Sequence, residues 1–324
     1  MADINEQAPT NEGHVAWEIP GVGKTCETWY KIYGDISSGG SPPLVVVHGG
    51  PGIAHGYLSA FATLWSQHNI PVIFYDQIGC GQSTRFPNTA GNEALWRQDT
   101  FVTELEGIVD HLHLHDGQGF YLLGHSFGGG VAAQYATTQP RGLLRLVLAN
   151  ASPSTRLSAE GNLLNVKTLP ENQHQAITRA METNDFEDQE YKAAFGAWLM
   201  KFTFGGDPVP AAMLPALMEL EADASAQKTM GGSSPFTPGG TMRDVHCIPQ
   251  LSRILVPTLI YNGDCDSSHA ITQKAFFDNI PRVRQVVFAG ASHMPHLQDA
   301  GRSEKVLKLV GEFLTTKVDV TGGN

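Results

Sequence analysis

The sequence predicts an α/β protein: a mostly parallel central sheet, helices on both faces, and an inserted helical cap. Three observations lead there. Short apolar runs of strand length recur along the chain, each ending at a turn. Segments of helical periodicity lie between them, the alternation that builds a parallel sheet covered on both faces. The alternation breaks once, over a long strand-free stretch from Pro153 to about Ile254.

Val15–Pro20 and Glu27–Gly34, separated by GVGKTC, form an antiparallel hairpin at the start of the sheet. Leu44–His48 (LVVVH) is an apolar run entering a Gly/Pro turn, as suits a strand buried on both faces. Val72–Asp76, Phe120–Gly124, Leu143–Ala149, Thr258–Asn262 and Gln285–Ala289 repeat that pattern. Helical periodicity marks Tyr57–His68, Glu93–His113, Phe127–Thr138 and Arg302–Thr316. Inside the interruption, helices are expected at Glu171–Glu182, Gln189–Phe202 and Ala211–Ala224, followed by the Gly/Ser/Pro stretch Gly231–Gly240. The expected division is therefore a core of residues 1–152 and 255–324 and a cap of residues 153–254. Open parallel sheets bind ligands at the carboxyl ends of their strands, so a cap placed there roofs the site.

Composition narrows the function. With 41% hydrophobic and 16% charged residues the chain is globular, and 21 Lys plus Arg against 32 Asp plus Glu give a net charge of −11. No basic run exceeds a pair, which disfavours nucleic acid and anionic membrane surfaces as partners. MADINEQAPTNEGH is polar and acidic, unlike a secretory signal, and no apolar stretch approaches the ~20 residues of a membrane span. Cys26, Cys80, Cys247 and Cys265 form no Cys-x-x-Cys and are expected to be free thiols. A cytoplasmic protein acting on a small molecule, with no cofactor and no metal, is the expectation.

The strongest chemical signal is GHSFGG, Gly124–Gly129, between an apolar strand and a helix. It fits the Gly-x-Ser-x-Gly nucleophile elbow of the α/β-hydrolase fold, in which a sharp turn lifts the serine above the sheet. A side chain at Gly124 or Gly128 would collide with its neighbours in such a turn. Ser126 is thus the expected nucleophile, and a serine needs a base. His111, His113 and His115 close a helical segment, where i and i+2 point apart, so they suit a solvated helix end better than a metal site. His48 and His125 flank tight turns and are assigned structural roles. His293, in GASHMPH after the last strand, completes the chain order Ser…Asp…His and is the expected base, with His296 as competitor. The acid that orients it should lie in Gly263-Asp264-Cys265-Asp266; both aspartates are in reach, and Asp266 is preferred because it lies deeper in the loop. Two N–H donors must hold the oxyanion, and they are assigned to Phe127 and to Gly50 in the HGGPG turn His48–Gly52.

These segments, with YDQIGCGQS at Tyr75–Ser83, match one family in order and spacing. The chain resembles the proline iminopeptidase family of serine peptidases, especially its branch of tricorn-interacting aminopeptidases and L-amino-acid amidases. The family's Gly-x-x-Asp pattern points to Asp266 rather than Asp264. Family members of that branch hold the substrate amine with two glutamates, one in a Met-x-Gly-Pro-x-Glu-Phe cap segment and one directly after the catalytic aspartate. Here the matched positions are Pro235 and Ser267. A buried ammonium without a counter-charge costs several kcal/mol, so the amine recognition of the family is not expected. Glu219, Glu221 and Asp223 could substitute, although a solvated acidic face is the simpler account. The sequence thus predicts a serine hydrolase cleaving an ester, lactone or amide of a small molecule, such as a specialised metabolite, that lacks a free α-amino group. Pro235 and Ser267 are its candidate substrate-binding positions. The alternatives are a true prolyl or L-amino-acid aminopeptidase, and a triad-bearing ligand receptor. Dehalogenases and epoxide hydrolases are disfavoured, because they use Asp where Ser126 stands.

Overall fold

The computed structural model of the protein describes residues 8–37 and 40–316. The first seven residues of the polar N-terminal segment lie outside that range. Eight strands form one sheet in the order β1-β2-β4-β3-β5-β6-β7-β8. They are β1 (Asn11–Ile19), β2 (Lys24–Tyr33), β3 (Leu44–Val47), β4 (Val72–Tyr75), β5 (Phe120–His125), β6 (Leu143–Ala149), β7 (Thr258–Gly263) and β8 (Val283–Phe288). β1 and β2 pair antiparallel with each other, and β2 with β4; all other neighbours are parallel.

β3, β4, β5 and β7 are buried along their whole length, which explains why they carry uninterrupted apolar runs rather than alternation. The period of two still sorts their side chains. Val45 and Val47 join one core, with Phe101, Leu105, Ile108 of α2 (Gln98–His111, behind α1, Thr63–His68) and Val131, Ala132 of α3 (Phe127–Thr137). Leu44 and Val46 join the core on the other face, with Leu64 of α1 and Val306, Leu307 and Val310 near the C-terminus.

Between β6 and β7 the described chain adds no strand to the sheet. It forms α4 (Thr155–Val166), α5 (Glu171–Thr183), α6 (Gln189–Leu199), a π-helical turn (Met200–Phe204), α7 (Leu214–Ala222) and α8 (Ser225–Gly231). This segment has an apolar cluster of its own, in which Val166, Ile177, Tyr191, Trp198 and Phe236 are buried. Its two ends are clasped together: Cys247 N–H donates to Pro153 O at 2.9 Å and Thr155 N–H to Val245 O at 3.1 Å, beside a bridge between Ser154 and His246. After β7 come α9 (Ala270–Asn279), then β8, α10 (Pro295–Gln298) and α11 (Ala300–Thr315).

Several elements differ from the sequence expectation. The helix expected over Tyr57–His68 is a 3₁₀ run, His55–Ala62, before α1 begins. The expected Glu93–His113 helix starts only at Gln98, because Asn92 captures the N–H groups of Leu95 and Trp96 and Arg97 is extended. α4 and α9 were not anticipated. α4 (TRLSAEGNLLNV) interrupts its helix formers with Gly161, Asn162 and Asn165, and starts from the Ser154 cap, which accepts Leu157 N–H.

The turn after β5 is the tightest point of the fold. A Cβ on Gly128 would overlap the carbonyl oxygens of Val47 and His48, and one on Gly124 would overlap Gly128 O and sit 2.6 Å from Gly129 Cα. Backbone atoms cannot rotate aside as a side chain can. Gly128→Ala should therefore lower the free energy of urea unfolding by about 3 kcal/mol or more, the upper range for overpacking. Equal unfolding midpoints for variant and parent would refute this account of the turn.

Candidate active site

Ser126 closes β5 and caps α3 with φ 56° and ψ −125°. For a residue with a Cβ this is a strained conformation that the surroundings must enforce. The enforcement is visible: Ser126 N–H donates to Ala149 O at 2.9 Å, while Ser126 O accepts from Gly129 N–H at 2.9 Å. Its hydroxyl donates to His293 Nε2 at 2.8 Å, and His293 Nδ1–H donates to Asp266 Oδ1 at 2.7 Å. Asp266 is 2% exposed, and three donors surround its carboxylate. Besides His293, Ser268 N–H reaches Oδ1 at 2.7 Å and Asn150 Nδ2 reaches Oδ2 at 2.6 Å. Asp264, the other candidate, is exposed and points its chain into a backbone bond with Phe288 O at 3.2 Å. His296, the competitor of His293, is buried with Nε2 against Tyr57 O at 3.2 Å.

Gly50 and Phe127 both line the cavity in which Ser126 opens. As the first residue of α3, Phe127 has no intrahelical acceptor for its N–H. Gly50 has φ 120°, a backbone state that favours glycine. The HGGPG turn is pinned from below. Gln77 N–H donates to His48 Nε2 at 2.8 Å and Gln77 Nε2 to His48 O at 2.8 Å, tying it to the YDQIGCGQS loop.

Three residues that sequence reasoning missed, Asn150, Phe202 and Tyr57, hold the site together with His125, whose structural role the sequence suggested. Asn150 grips the acid from the end of β6. Phe202 O, in the π-helical turn, accepts both Ser267 N–H at 3.0 Å and His293 N–H at 3.1 Å, so one carbonyl ties the acid loop to the histidine loop. Tyr57 accepts Gly49 N–H at 2.7 Å and donates to His125 Nδ1 at 2.8 Å. His125 in turn donates from Nε2 to His293 O at 3.0 Å, which fixes its tautomer because a carbonyl only accepts. Only the tight motif positions of His48 and His125 hinted at such anchoring.

The cavity holds about 450 Å³. Pro235 and Ser267 both line it, together with Ser126 and His293. Among the described residues no Asp, Glu, Lys or Arg lines it. Glu219 accepts Gly81 N–H at 3.0 Å and faces Arg85, Asp223 accepts from Ser225 N–H and hydroxyl, and Glu221 is exposed. Of the His111, His113 and His115 run, His115 sits between Asp110 and Arg141 O at 2.6 and 2.8 Å, and no cluster of potential metal ligands occurs among the described residues. Likewise no helix of the described residues is long and apolar enough to cross a membrane.

The family model of the alpha/beta hydrolase fold matches residues 42–300, and the chain belongs to that family of hydrolytic enzymes. Within it, the chain belongs to the proline iminopeptidase family. It is 30% identical to the proline iminopeptidase of Clostridium botulinum over 291 residues, covering 89% of this chain and 94% of that protein. The Lactobacillus helveticus proline iminopeptidase is 31% identical over 289 residues, with the same coverage of 89% and 94%. The Mycobacterium smegmatis proline iminopeptidase structure superposes with a TM-score of 0.81 at 30% identity, covering 93% of this chain and 97% of that one. The structure of VinJ does so at 0.84 and 31% identity, covering 95% and 100%.

Burial also sets the acid response. It pushes His48 and His296 down to about 4, and His125 well below its ordinary range with help from neighbouring His293 and His296. All three are neutral when folded and charge on unfolding below about 6.5, so the stability they give is present above that pH and lost as pH falls toward 4. Glu104 opposes them: burial raises it to about 8, so the folded state already holds its proton. These three histidines and His269, which burial also lowers, against one carboxyl leave a net uptake of about two or more protons on unfolding near pH 5. Urea unfolding should then lose about 2 to 3 kcal/mol per pH unit around pH 5. A flat profile between pH 6.5 and 4.5 would contradict the neutral histidine cluster.

Proposed function

We propose that the protein is a serine hydrolase cleaving an ester, lactone or amide of a small molecule that lacks a free α-amino group. One observation carries the substrate half of this reading: Pro235 and Ser267 line the cavity, and among the described residues no carboxylate does. An α-ammonium placed there would be desolvated without a counter-charge, at a cost of several kcal/mol. Glu219 and Asp223 are engaged elsewhere, with Gly81, Arg85 and Ser225.

In this reading Ser126 Oγ attacks the carbonyl carbon while His293 Nε2 takes the hydroxyl proton. Asp266 holds the imidazole in the tautomer that leaves Nε2 free to accept, and steadies the imidazolium. The N–H groups of Gly50 and Phe127 receive the oxyanion, with the dipole of α3 directed at it. His293 then passes its proton to the departing alcohol or amine. Water, deprotonated by the same nitrogen, releases the acyl group from Ser126 and restores the hydroxyl. The second reading, an aminopeptidase, is favoured by the names of the relatives, and the substrate comparison below separates the two.

Ser126→Ala should abolish fluorophosphonate labelling and reduce turnover by several orders of magnitude, as should His293→Ala for turnover. Asp266→Asn should lower kcat by up to about 10⁴-fold, with Asp264→Asn far milder; the reverse order would move the orienting role to Asp264. For substrate class, kcat/KM is measured for an aminoacyl ester and its N-acylated analogue at a pH where the amine is charged. The neutral compound should match or exceed the amine. A preference of about a hundredfold for the amine, worth roughly 2.7 kcal/mol, would establish the aminopeptidase reading instead.

A further inference from the structure

Two helices of the β6–β7 insertion give the cavity two chemically different walls. On α4, Thr155, Ser158 and Asn162 follow at spacings of three and four residues and so share one face, and all three line the cavity. On α6, Phe195, Trp198 and Leu199 do the same with mainly apolar side chains, although the buried Trp198 Nε1–H also has no partner among the described residues. Elsewhere in the molecule helical hydroxyls bond back to the preceding turn, as Thr137 does to Gln134 O at 2.6 Å and Thr183 to Arg179 O at 2.9 Å. The hydroxyls of Thr155 and Ser158 have no hydrogen-bond partner among the described residues, although both side chains are half-buried. Asn162 is 6% exposed; its Nδ2 is held by Pro235 O at 2.9 Å, and its Oδ1 has no partner.

The buried amide oxygen of Asn162 is costly unless a ligand completes it, and the hydroxyls of Thr155 and Ser158, which water can reach, are free to bond the same ligand. A ligand oxygen that only accepts would satisfy Thr155 and Ser158 but leave Asn162 Oδ1 orphaned. A hydroxyl both donates and accepts, and so suits the whole stripe. Aromatic and leucine side chains on the second wall call for an apolar flank on the same ligand.

We propose that the α4 stripe of Thr155, Ser158 and Asn162 is a specificity surface for hydroxylated acyl groups, whose apolar flank packs on Phe195, Trp198 and Leu199. The substrate class is then an uncharged hydroxyacyl ester or amide. This rests on Ser126 acting as the nucleophile, as argued above.

The probe pair is p-nitrophenyl 3-hydroxyoctanoate and p-nitrophenyl octanoate, compared by kcat/KM in the intact protein. The hydroxylated ester should be preferred by about tenfold or more, the worth of one well-made hydrogen bond to a buried partner. In a Thr155→Val, Ser158→Ala double variant that preference should collapse toward unity, chiefly through KM. Neither substitution removes a bond made in the protein, and circular dichroism with urea unfolding verifies the fold. Turnover of both esters without preference in the parent, or an unchanged ratio in the double variant, would overturn the hydroxyacyl assignment alone. Turnover of neither ester by a parent whose Ser126 resists fluorophosphonate would overturn the serine-hydrolase reading and this inference with it.

Discussion

Direct contact of backbone on backbone beneath Ser126 is the constraint on which the rest of the site depends. Gly128 lies against the carbonyls of Val47 and His48, Gly124 against Gly128 and Gly129, and Gly49 would meet Ser126 Cβ at 2.9 Å if it carried a side chain. Strand β3, strand β5 and the start of α3 therefore converge more closely than any side chain allows. That convergence brings the Gly50 turn and the Phe127 N–H to the same side of the serine. It also supplies the steric closure that keeps Ser126 at its left-handed φ, since relaxing the serine would separate α3 from β3.

The remaining groups are positioned by polar contacts that need little room. Asn150 and Ser268, with His293, give the buried carboxylate of Asp266 three hydrogen-bond donors. Tyr57 and His125 join the glycine turn to the backbone of His293. Burial keeps His125 neutral, with one N–H to donate to the His293 carbonyl and one lone pair to accept from Tyr57. Phe202 adds the last tie, made from the insertion rather than from the sheet. A π-helical turn frees a carbonyl from the helix ladder, and here that carbonyl serves two loops at once.

Much of this was legible in the sequence, for identifiable reasons. The buried strands announced themselves because a strand covered on both faces must be apolar throughout, and GHSFGG because no other residues fit so close an approach. Pro235 and Ser267, nominated by matching positions in a family pattern, lie in one cavity with Ser126. What stayed hidden depends on long-range partners. Asn150 lies 116 residues from Asp266, and nothing local marks its amide as the carboxylate's second anchor. Helix α4 breaks its run of helix formers with Gly161, Asn162 and Asn165 and leans on packing and the Ser154 cap, so the wall it forms was hidden. The start of α2 was misplaced because Asn92 offered the backbone a competing turn.

The clasp at Pro153–Thr155 and Val245–Cys247 has an evolutionary corollary. Chain that leaves and rejoins a scaffold through one hydrogen-bonded neck can be rewritten without moving the ground on either side of it. Selection can then exchange the residues that greet a new compound while the reactive centre, anchored mostly on the strands, is inherited intact. A lineage at about 30% identity to its relatives can in this way retain one chemistry and change its clientele. Phe202, with Asn165 on Asp266 O and Thr203 on Ser292, marks the boundary of that freedom: these points within the interchangeable segment cannot drift without loosening the acid and histidine loops.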